Sequence, residues 1–479
     1  MEKESSNEQK PLDVLILAAG LGTRMRSKSA KVLHLLDGRP LINHVCRTAS
    51  ALAPRKIYVV IGHQGEEVKD AVLKELETEK IEFVWQKEQL GTGDAVNSAR
   101  GFLETEDSTL LVLSGDVPMI RAETLAALIQ QHYHHRGRGA VCTILTVKLS
   151  DPQGYGRIVR DEEGLFDEIV EQKDASEEQR KINEINSGIY CFDTQKLFDA
   201  LSNVENNNAQ GEYYLTDVPR ILRDADEDVS LYHHNDSREV SGINNRTELA
   251  DLERIIRRRT VTRLMLDYGV SFVDPTNVYI SEQTEIGRDT VIFPNVTIEG
   301  ETKIGDGCTI RSGTRIADSR IGHGVEILDN CVITNAEVGN DCKIGPFAHL
   351  RPKARLEEKA KIGNFVEVKN SVVGRNSKAN HLTYLGDATI GENTNIGAGT
   401  ITCNYDGKNK HATIIGNDVK IGSDTMLVAP VKVGDGAATG AGSIVTKDVA
   451  PNKLVVGAPA RAIKSLKEEK ETDLEANIN

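Results

Sequence analysis

The sequence predicts two domains of unlike architecture, an α/β domain followed by a parallel β-helix, joined by one long helix. Three observations predict this. Short apolar runs alternate with longer amphipathic segments as far as about Asn244, a highly charged helical stretch covers 246–267, and beyond Val273 an isoleucine recurs at every sixth residue. With 479 residues the chain also exceeds the size at which a single core keeps growing.

In the front half, DVLILAA (13–19), KIYVVIG (56–62), IEFVW (81–85) and TLLVLSGD (109–116) read as strands, and the segments around 40–52, 65–79, 92–103 and 121–135 as helices. Near-continuous apolar strands separated by helical stretches imply a mostly parallel sheet covered on both faces. The domain is expected over 12–245, behind a polar tail at 1–11. RTELADLERIIRRRTVTRLMLD (246–267) carries Leu249, Leu252, Ile256 and Leu264 at helical spacing within many charges, which predicts an exposed joining helix over 246–270.

The rear half, 271–464, begins with Ile280, Ile286, Ile292, Ile298, Ile304, Ile310 and Ile316, slips by one at Ile321, and resumes in pieces to Val433-Gly434. A period of six fits a parallel β-helix in which each flat side contributes one inward aliphatic residue. A β-sandwich with regular turns is the alternative. Two segments interrupt the repeat, NSKANHLTYL (376–385) and TCNYDGKNKH (402–411), and both are expected to be loops on the scaffold. A charged tail is expected at 465–479.

Composition narrows the function classes. The formal charge of −14 makes the chain a poor non-specific partner for nucleic acid or an anionic membrane. Seven scattered cysteines without a C-x-x-C pair argue against a disulfide framework or a zinc site and for a reducing compartment. MEKESSNEQK lacks the apolar stretch of a signal peptide, and no apolar run reaches the roughly 18 residues a bilayer requires. A cytoplasmic protein acting on small molecules is expected.

The first strand runs into LAAGLGTRMRSKSAK (17–31), where Gly20 and Gly22 let the backbone approach a phosphate and Arg24 and Lys31 can neutralise it. A Gly-x-Gly after a strand serves a structural turn equally well. LSGDVP places Asp116 at the C-terminal end of a strand, where α/β sheets bind ligands. Taken with WQKEQLGTGDA (85–95), GYGRI (154–158), VEQKD (170–174), INSGIY (185–190) and VSGINNR (240–246), the string resembles the sugar-1-phosphate nucleotidyltransferases. The resemblance implies a Rossmann-like domain in which Leu17, Ala19, Gly20, Gly22 and Lys31 meet the nucleotide. It implies that Gln86, Gln89, Gly91 and Thr92 contact the uracil, that Gly156, Glu171 and Asn186 hold the sugar phosphate, and that Asp116 and Asn244 bind Mg²⁺. A sugar-1-phosphate oxygen would attack the α-phosphorus of UTP in line, with pyrophosphate leaving. A phosphomonoester's second pKa is about 6, so the nucleophile needs no base, and Lys31, Arg24 and the metal supply charge neutralisation.

Acetylating an amine from a thioester needs a group to accept a proton and donors for an oxyanion. His381 lies beside Tyr384 in NHLTYLGDA, followed by NIGAGTITCNYDGKNK (395–410) and preceded by GPFAHLRP (345–352) and GNFVEVKNS (363–371). These strings resemble the acetyltransferase half of the bifunctional N-acetylglucosamine-1-phosphate uridylyltransferase/glucosamine-1-phosphate acetyltransferase family, and the resemblance covers about 12–460. It implies a left-handed, homotrimeric β-helix with acetyl-CoA between subunits, and His381 as general base with Glu367 orienting its ring. Arg351, Lys369, Tyr384, Asn395 and Lys410 would hold glucosamine-1-phosphate, and Asn404, Tyr405, Ser423 and Ala441 would line the acetyl-CoA cleft. Where some relatives place an arginine against the CoA phosphates this chain has Ala458, which leaves Arg461 or Lys464 for that role. The implied product is UDP-N-acetylglucosamine, a precursor of peptidoglycan and lipopolysaccharide. Two rival readings are a nucleotidyltransferase on a purely structural β-helix, and a non-catalytic sugar-nucleotide sensor.

Overall fold

β1 (Leu12–Leu17) opens the front sheet in the computed structural model, which describes residues 10–76 and 78–465. The expected tails at 1–11 and 465–479 therefore lie outside the described residues, apart from Lys10, Pro11 and Ser465. The chain divides into two compact units, one up to Leu252 and one from Glu253 onward, so the division falls inside the helix Arg246–Tyr268.

In the first unit Val14 and Ile16 enter one apolar core and Leu15 the other, so both faces of β1 are covered. That is why the strands read as unbroken apolar runs. β2 (Lys56–Ile61), β3 (Ile81–Trp85), β4 (Thr109–Ser114), β5 (Cys142–Lys148), β6 (Arg157–Arg160), β7 (Phe166–Val170), β8 (Glu184–Asp193) and β9 (Val229–His233) complete a sheet of order β9-β5-β8-β4-β1-β2-β3, with β6 and β7 as a hairpin against β8. β1 is parallel to β2 and β4, whereas β8 is antiparallel to both β4 and β5. Leu17 stands opposite Val60 and Ser114, so the C-terminal ends of the three parallel strands share one edge. Helices α1 (Leu41–Ala51), α2 (Gly65–Leu73), α3 (Thr92–Asn97) and α4 (Ala122–His134) fall where the amphipathic segments predicted them.

The joining helix, α5 (Arg246–Tyr268), spans the predicted residues, but it is not exposed all round. Leu252, Ile256, Thr260, Val261 and Leu264 are buried, and Val261 and Leu264 enter the core of the second unit.

That second unit is a parallel β-helix whose coils lay strands into three sheets of eight, ten and nine strands. Stacked partners are 18 residues apart at Val291 and Thr309, and 17 apart at Thr309 and Glu326. The slip at Ile321 therefore shortens one side of a coil, and Ile321 still stacks on Ile304. The inward isoleucines from Ile280 to Ile316 are all at most 4% exposed. Corners are finished by small residues whose hydroxyls serve the backbone. Thr290 Oγ1 donates to the Gly305 carbonyl at 2.9 Å and accepts from Cys308 N–H at 3.1 Å. The recurrent Gly after Ile has a steric cause, since a Cβ on Gly305 would meet the Gly322 carbonyl carbon at 2.8 Å.

The first expected loop is not one. Lys378–His381 and Tyr384–Gly386 are regular strands of the stack, with Ala379 and Leu385 filling the inward positions at the usual six-residue spacing. An alanine and a leucine at inward positions hid the repeat from a pattern read on isoleucine and valine. The second interruption is a true insertion: Ile401 pairs with Met426, 25 residues on, and Tyr405 and Lys410 form an antiparallel bridge inside the extra chain. All seven cysteines are free thiols.

Truncating one inward residue tests the stacking. Ile316→Ala leaves a cavity at a fully buried site and is expected to cost about 2–5 kcal/mol of second-unit stability in a urea melt.

Candidate active sites

The front site begins where β1 ends. Gly22 takes a left-handed φ of 60° and its Cα lies against Lys31, so close that an added Cβ would meet Lys31 Cβ at 2.5 Å. This contact and the 3₁₀ turn Lys31–Leu33 aim the lysine at the strand ends. Lys31 Nζ donates to Asp116 Oδ2 and lies 3.5 Å from Asn244 Oδ1, which also accepts from Arg24 Nη2 at 2.8 Å. A carboxylate and an amide oxygen thus converge on one cation position, and both are hard donors that suit a divalent metal ion. No group of three or more His, Cys, Asp or Glu among the described residues could hold a metal by itself. The rest of a coordination shell would be substrate oxygens and water.

A cleft of about 360 Å³ opens beside this cluster. Leu17, Ala19, Gly20, Lys31, Gln86, Gln89, Gly91, Thr92 and Asp116 all line it, so the residues predicted for the nucleotide and base are brought together. Gln86 is buried, and its Nε2 donates to Asp94 Oδ2 at 2.8 Å and to the Gly91 carbonyl at 3.3 Å. Gly91 has φ 117°, and a Cβ there would strike the Tyr213 carbonyl oxygen, so this turn admits only glycine.

Gly156, Glu171 and Asn186 form a separate group. Asn186 N–H donates to the Gly156 carbonyl at 2.9 Å, and the Asn186 amide donates to Tyr190 Oη at 2.6 Å. Glu171 lines a second cavity of about 380 Å³ with Tyr214 and Asp217. Burial pushes the Glu171 carboxyl above the usual range, against the pull of a bond to Thr216. Tyr155 stands beside this second group and is near enough to Asp116 to feel its charge. It adjoins Gly156 in sequence, and its phenol is pushed up by burial and by Glu248 and Asp116. Sequence reasoning passed over Tyr155, and also Glu212, Tyr213 and Tyr214. Tyr213 N–H and carbonyl bond to Leu90 and Gly93, bracketing the Gly91 turn. The available signal was GEYYLTD (211–217), an aromatic pair in a polar segment between two helices.

The rear site is built by register. Asn364 pairs with His381, and continuing the stack puts Ala398, Ser423 and Ala441 at the same corner of successive coils. Asp424 N–H to the Ala398 carbonyl at 2.7 Å and Gly442 N–H to the Ser423 carbonyl at 2.8 Å hold this column together. On the next side Glu367 pairs with Tyr384. The expectation that Glu367 orients His381 is not met: its carboxylate accepts from Arg351 Nη1 at 2.7 Å, whereas His381 Nδ1 lies 2.6 Å from Asn364 Oδ1. The physical reason is the stack, because residues one coil apart face each other and those around a corner do not.

Lys369, Tyr384, Asn404 and Lys410 gather around Asp387. Asn370 and Asn404 each donate an amide to it at 2.5 Å, and Asn404 Nδ2 is 3.5 Å from Tyr384 Oη. Burial alone would raise the Asp387 carboxyl, but the two amides and the Lys369 and Lys410 charges outweigh it and hold the group below its ordinary range. Lys410 is pulled down by the like charge of Lys369 beside it. Asn395 bridges to Lys420 on the side that carries His381, Tyr405 Oη donates to the Gly407 carbonyl, and Arg461, exposed and paired with Val456, donates from Nη1 to the adjacent Ala460 carbonyl. These three are not drawn into the Asp387 cluster.

The family model described as Nucleotidyl transferase matches residues 13–237, and that of the GMPPB C-terminal domain matches 275–354 and 332–435. Bifunctional protein GlmU of Heliobacterium modesticaldum is 48% identical over 442 residues, covering 92% of this chain and 94% of the relative. The proteins of the same name from Syntrophomonas wolfei and Listeria welshimeri are each 47% identical, over 93% and 97% of this chain and 97% and 98% of their own lengths. The chain belongs to the bifunctional GlmU family. It is accordingly a bifunctional transferase, with a nucleotidyltransferase domain of the divalent-metal-using kind in front and a left-handed hexapeptide β-helix behind. No described helix is long and apolar enough to cross a membrane.

The Asp387 ladder makes a pH prediction. Its carboxyl is depressed in the folded state, so its stabilisation is complete above the unfolded value of about 3.9 and is lost as pH falls through the lower folded value. Thermal melts from pH 6 to 3 are expected to show a shallower acid decline for Asp387→Asn than for the unaltered chain.

Proposed function

We propose that this GlmU-family chain acetylates glucosamine-1-phosphate with acetyl-CoA at the β-helix and then couples the product to UMP from UTP at the front cleft, releasing pyrophosphate. UDP-N-acetylglucosamine is the product, and it supplies peptidoglycan and lipopolysaccharide synthesis in the cytoplasm. The observation that carries the reading is that each unit gathers phosphate-complementary cations among its own motif residues: Lys31 at Asp116 and Asn244, and Lys369 with Lys410 at Asp387.

In the front cleft Gln86, Gln89, Gly91 and Thr92 receive the uracil, while Leu17, Ala19, Gly20 and Gly22 bring the backbone to the phosphates. Gly156, Glu171 and Asn186 hold the sugar phosphate. Lys31 and Arg24 neutralise charge on the triphosphate as the sugar phosphate oxygen attacks. Asp116 and Asn244 would hold Mg²⁺, which when bound supplies electrostatic stabilisation at the reacting phosphate.

At the β-helix Arg351, Lys369, Tyr384, Asn395 and Lys410 hold the amino-sugar phosphate, and His381 Nε2 takes a proton from the amine as it attacks the thioester carbonyl. Asn404, Tyr405, Ser423 and Ala441 line the path of acetyl-CoA, with Arg461 toward its phosphates. We place this site in a homotrimer. Beside Asn364 and His381, Phe347, Phe365 and Leu382 are 48%, 55% and 62% exposed and take left-handed backbone, and the two phenyl rings stack at 5.2 Å. An apolar strip at strained positions is poorly served by water and well served by a second copy.

The decisive experiment assays both half-reactions with product mass analysis. His381→Ala is expected to lose acetyl transfer by about 10²–10⁴-fold and keep uridylyl transfer; Asp116→Ala is expected to do the reverse. Loss of both activities in each variant, with the fold intact, would defeat the two-site assignment. Chelation of divalent metal is expected to stop uridylyl transfer and spare acetyl transfer, measured on the same preparation.

A further inference from the structure

We infer that Asn364 is the residue that positions His381 for acetyl transfer, by accepting a hydrogen bond from Nδ1–H and so leaving Nε2 as the free base. The inference rests on the reading of His381 as the proton acceptor.

Three observations carry it. The Asn364 Oδ1 to His381 Nδ1 separation is 2.6 Å, and the two residues are a register pair on adjacent coils, so the stack itself sets their approach. The neighbouring backbone is held on both sides of the ring: Leu382 N–H donates to the Asn364 carbonyl at 3.1 Å, and Thr383 Oγ1 donates to the His381 carbonyl at 2.7 Å. Glu367, a carboxylate on the following side, is engaged by Arg351 at 2.7 Å. A neutral imidazole carries one proton, so an oxygen acceptor at Nδ1 fixes that proton there and leaves the lone pair on Nε2.

The choice of an amide over a carboxylate has a chemical consequence. A carboxylate at this distance would favour imidazolium and raise the pH at which the base becomes available. An uncharged acceptor orients the ring equally well without that cost. Other titratable groups on the elements packed around His381 are Lys361 and Lys378 at the opposite ends of the paired strands, Glu367 with Arg351, Lys369 and Tyr384 around the corner, and Asp424 two coils further on.

The test is the pH profile of acetyl-transfer kcat/KM, with uridylyl transfer of the same preparations as an internal reference. Asn364→Ala is expected to lower acetyl-transfer kcat by about 10–100-fold with little change in KM, because Asn364 acts through its bond to His381. Asn364→Asp is expected to recover most of that loss at high pH and to move the acid limb upward by about one unit. Glu367→Gln is expected to leave the limb in place. A wild-type kcat in Asn364→Ala, an unmoved limb in Asn364→Asp, or a limb that moves in Glu367→Gln overturns the assignment. If His381→Ala retains acetyl transfer, the base reading itself falls, which separates that failure from a failure of Asn364.

Discussion

Stacking of inward aliphatic side chains, one per flat side and 17 or 18 residues apart in coils without an insertion, is the constraint on which the rear half of this protein depends. Each isoleucine needs the ones above and below it, because a two-residue strand has too little surface to bury anything alone. Once that register is set, every outward residue is aligned with its counterpart one coil away. Asn364 and His381, Glu367 and Tyr384, and the run through Ser423 and Ala441 are consequences of the apolar stack. The rear site is thus a set of columns on a scaffold, and its precision comes from the core.

The front unit reaches a comparable result by a different route. Parallel strands end together at Leu17, Val60 and Ser114, and the segments that follow them converge. Lys31 then joins Asp116 to Asn244, residues far apart in sequence, and its ammonium neutralises the carboxylate while Arg24 also donates to the Asn244 amide oxygen.

Much of this was legible from residue order. Unbroken apolar runs announced strands buried on both faces, because β1 does feed two cores. The six-residue period announced the coil. The string from Leu17 to Lys31 and the segment at 86–92 supply most of the lining of the front cleft, and close approaches at Gly22 and Gly91 demand glycine there. What was misread has local causes. Ala379 and Leu385 occupy inward positions without the expected isoleucine, so a regular side of the coil passed for a loop. The burial of one stripe of α5 was hidden beneath its charges.

Residue order alone settled the division into an α/β unit and a β-helix and the pool of groups able to do chemistry, because periodicity and steric need at glycine are local properties of the chain. Only the tertiary structure decided which of those groups meet: that Asn364 and not Glu367 faces His381, that Glu212 lines the front cleft while Tyr213 brackets the Gly91 turn, and that Lys369 and Lys410 lie near enough to Asp387 to lower its carboxyl. The reason is physical. Such meetings are fixed by stacking register and by strands brought edge to edge across tens of residues, and no local pattern carries that information.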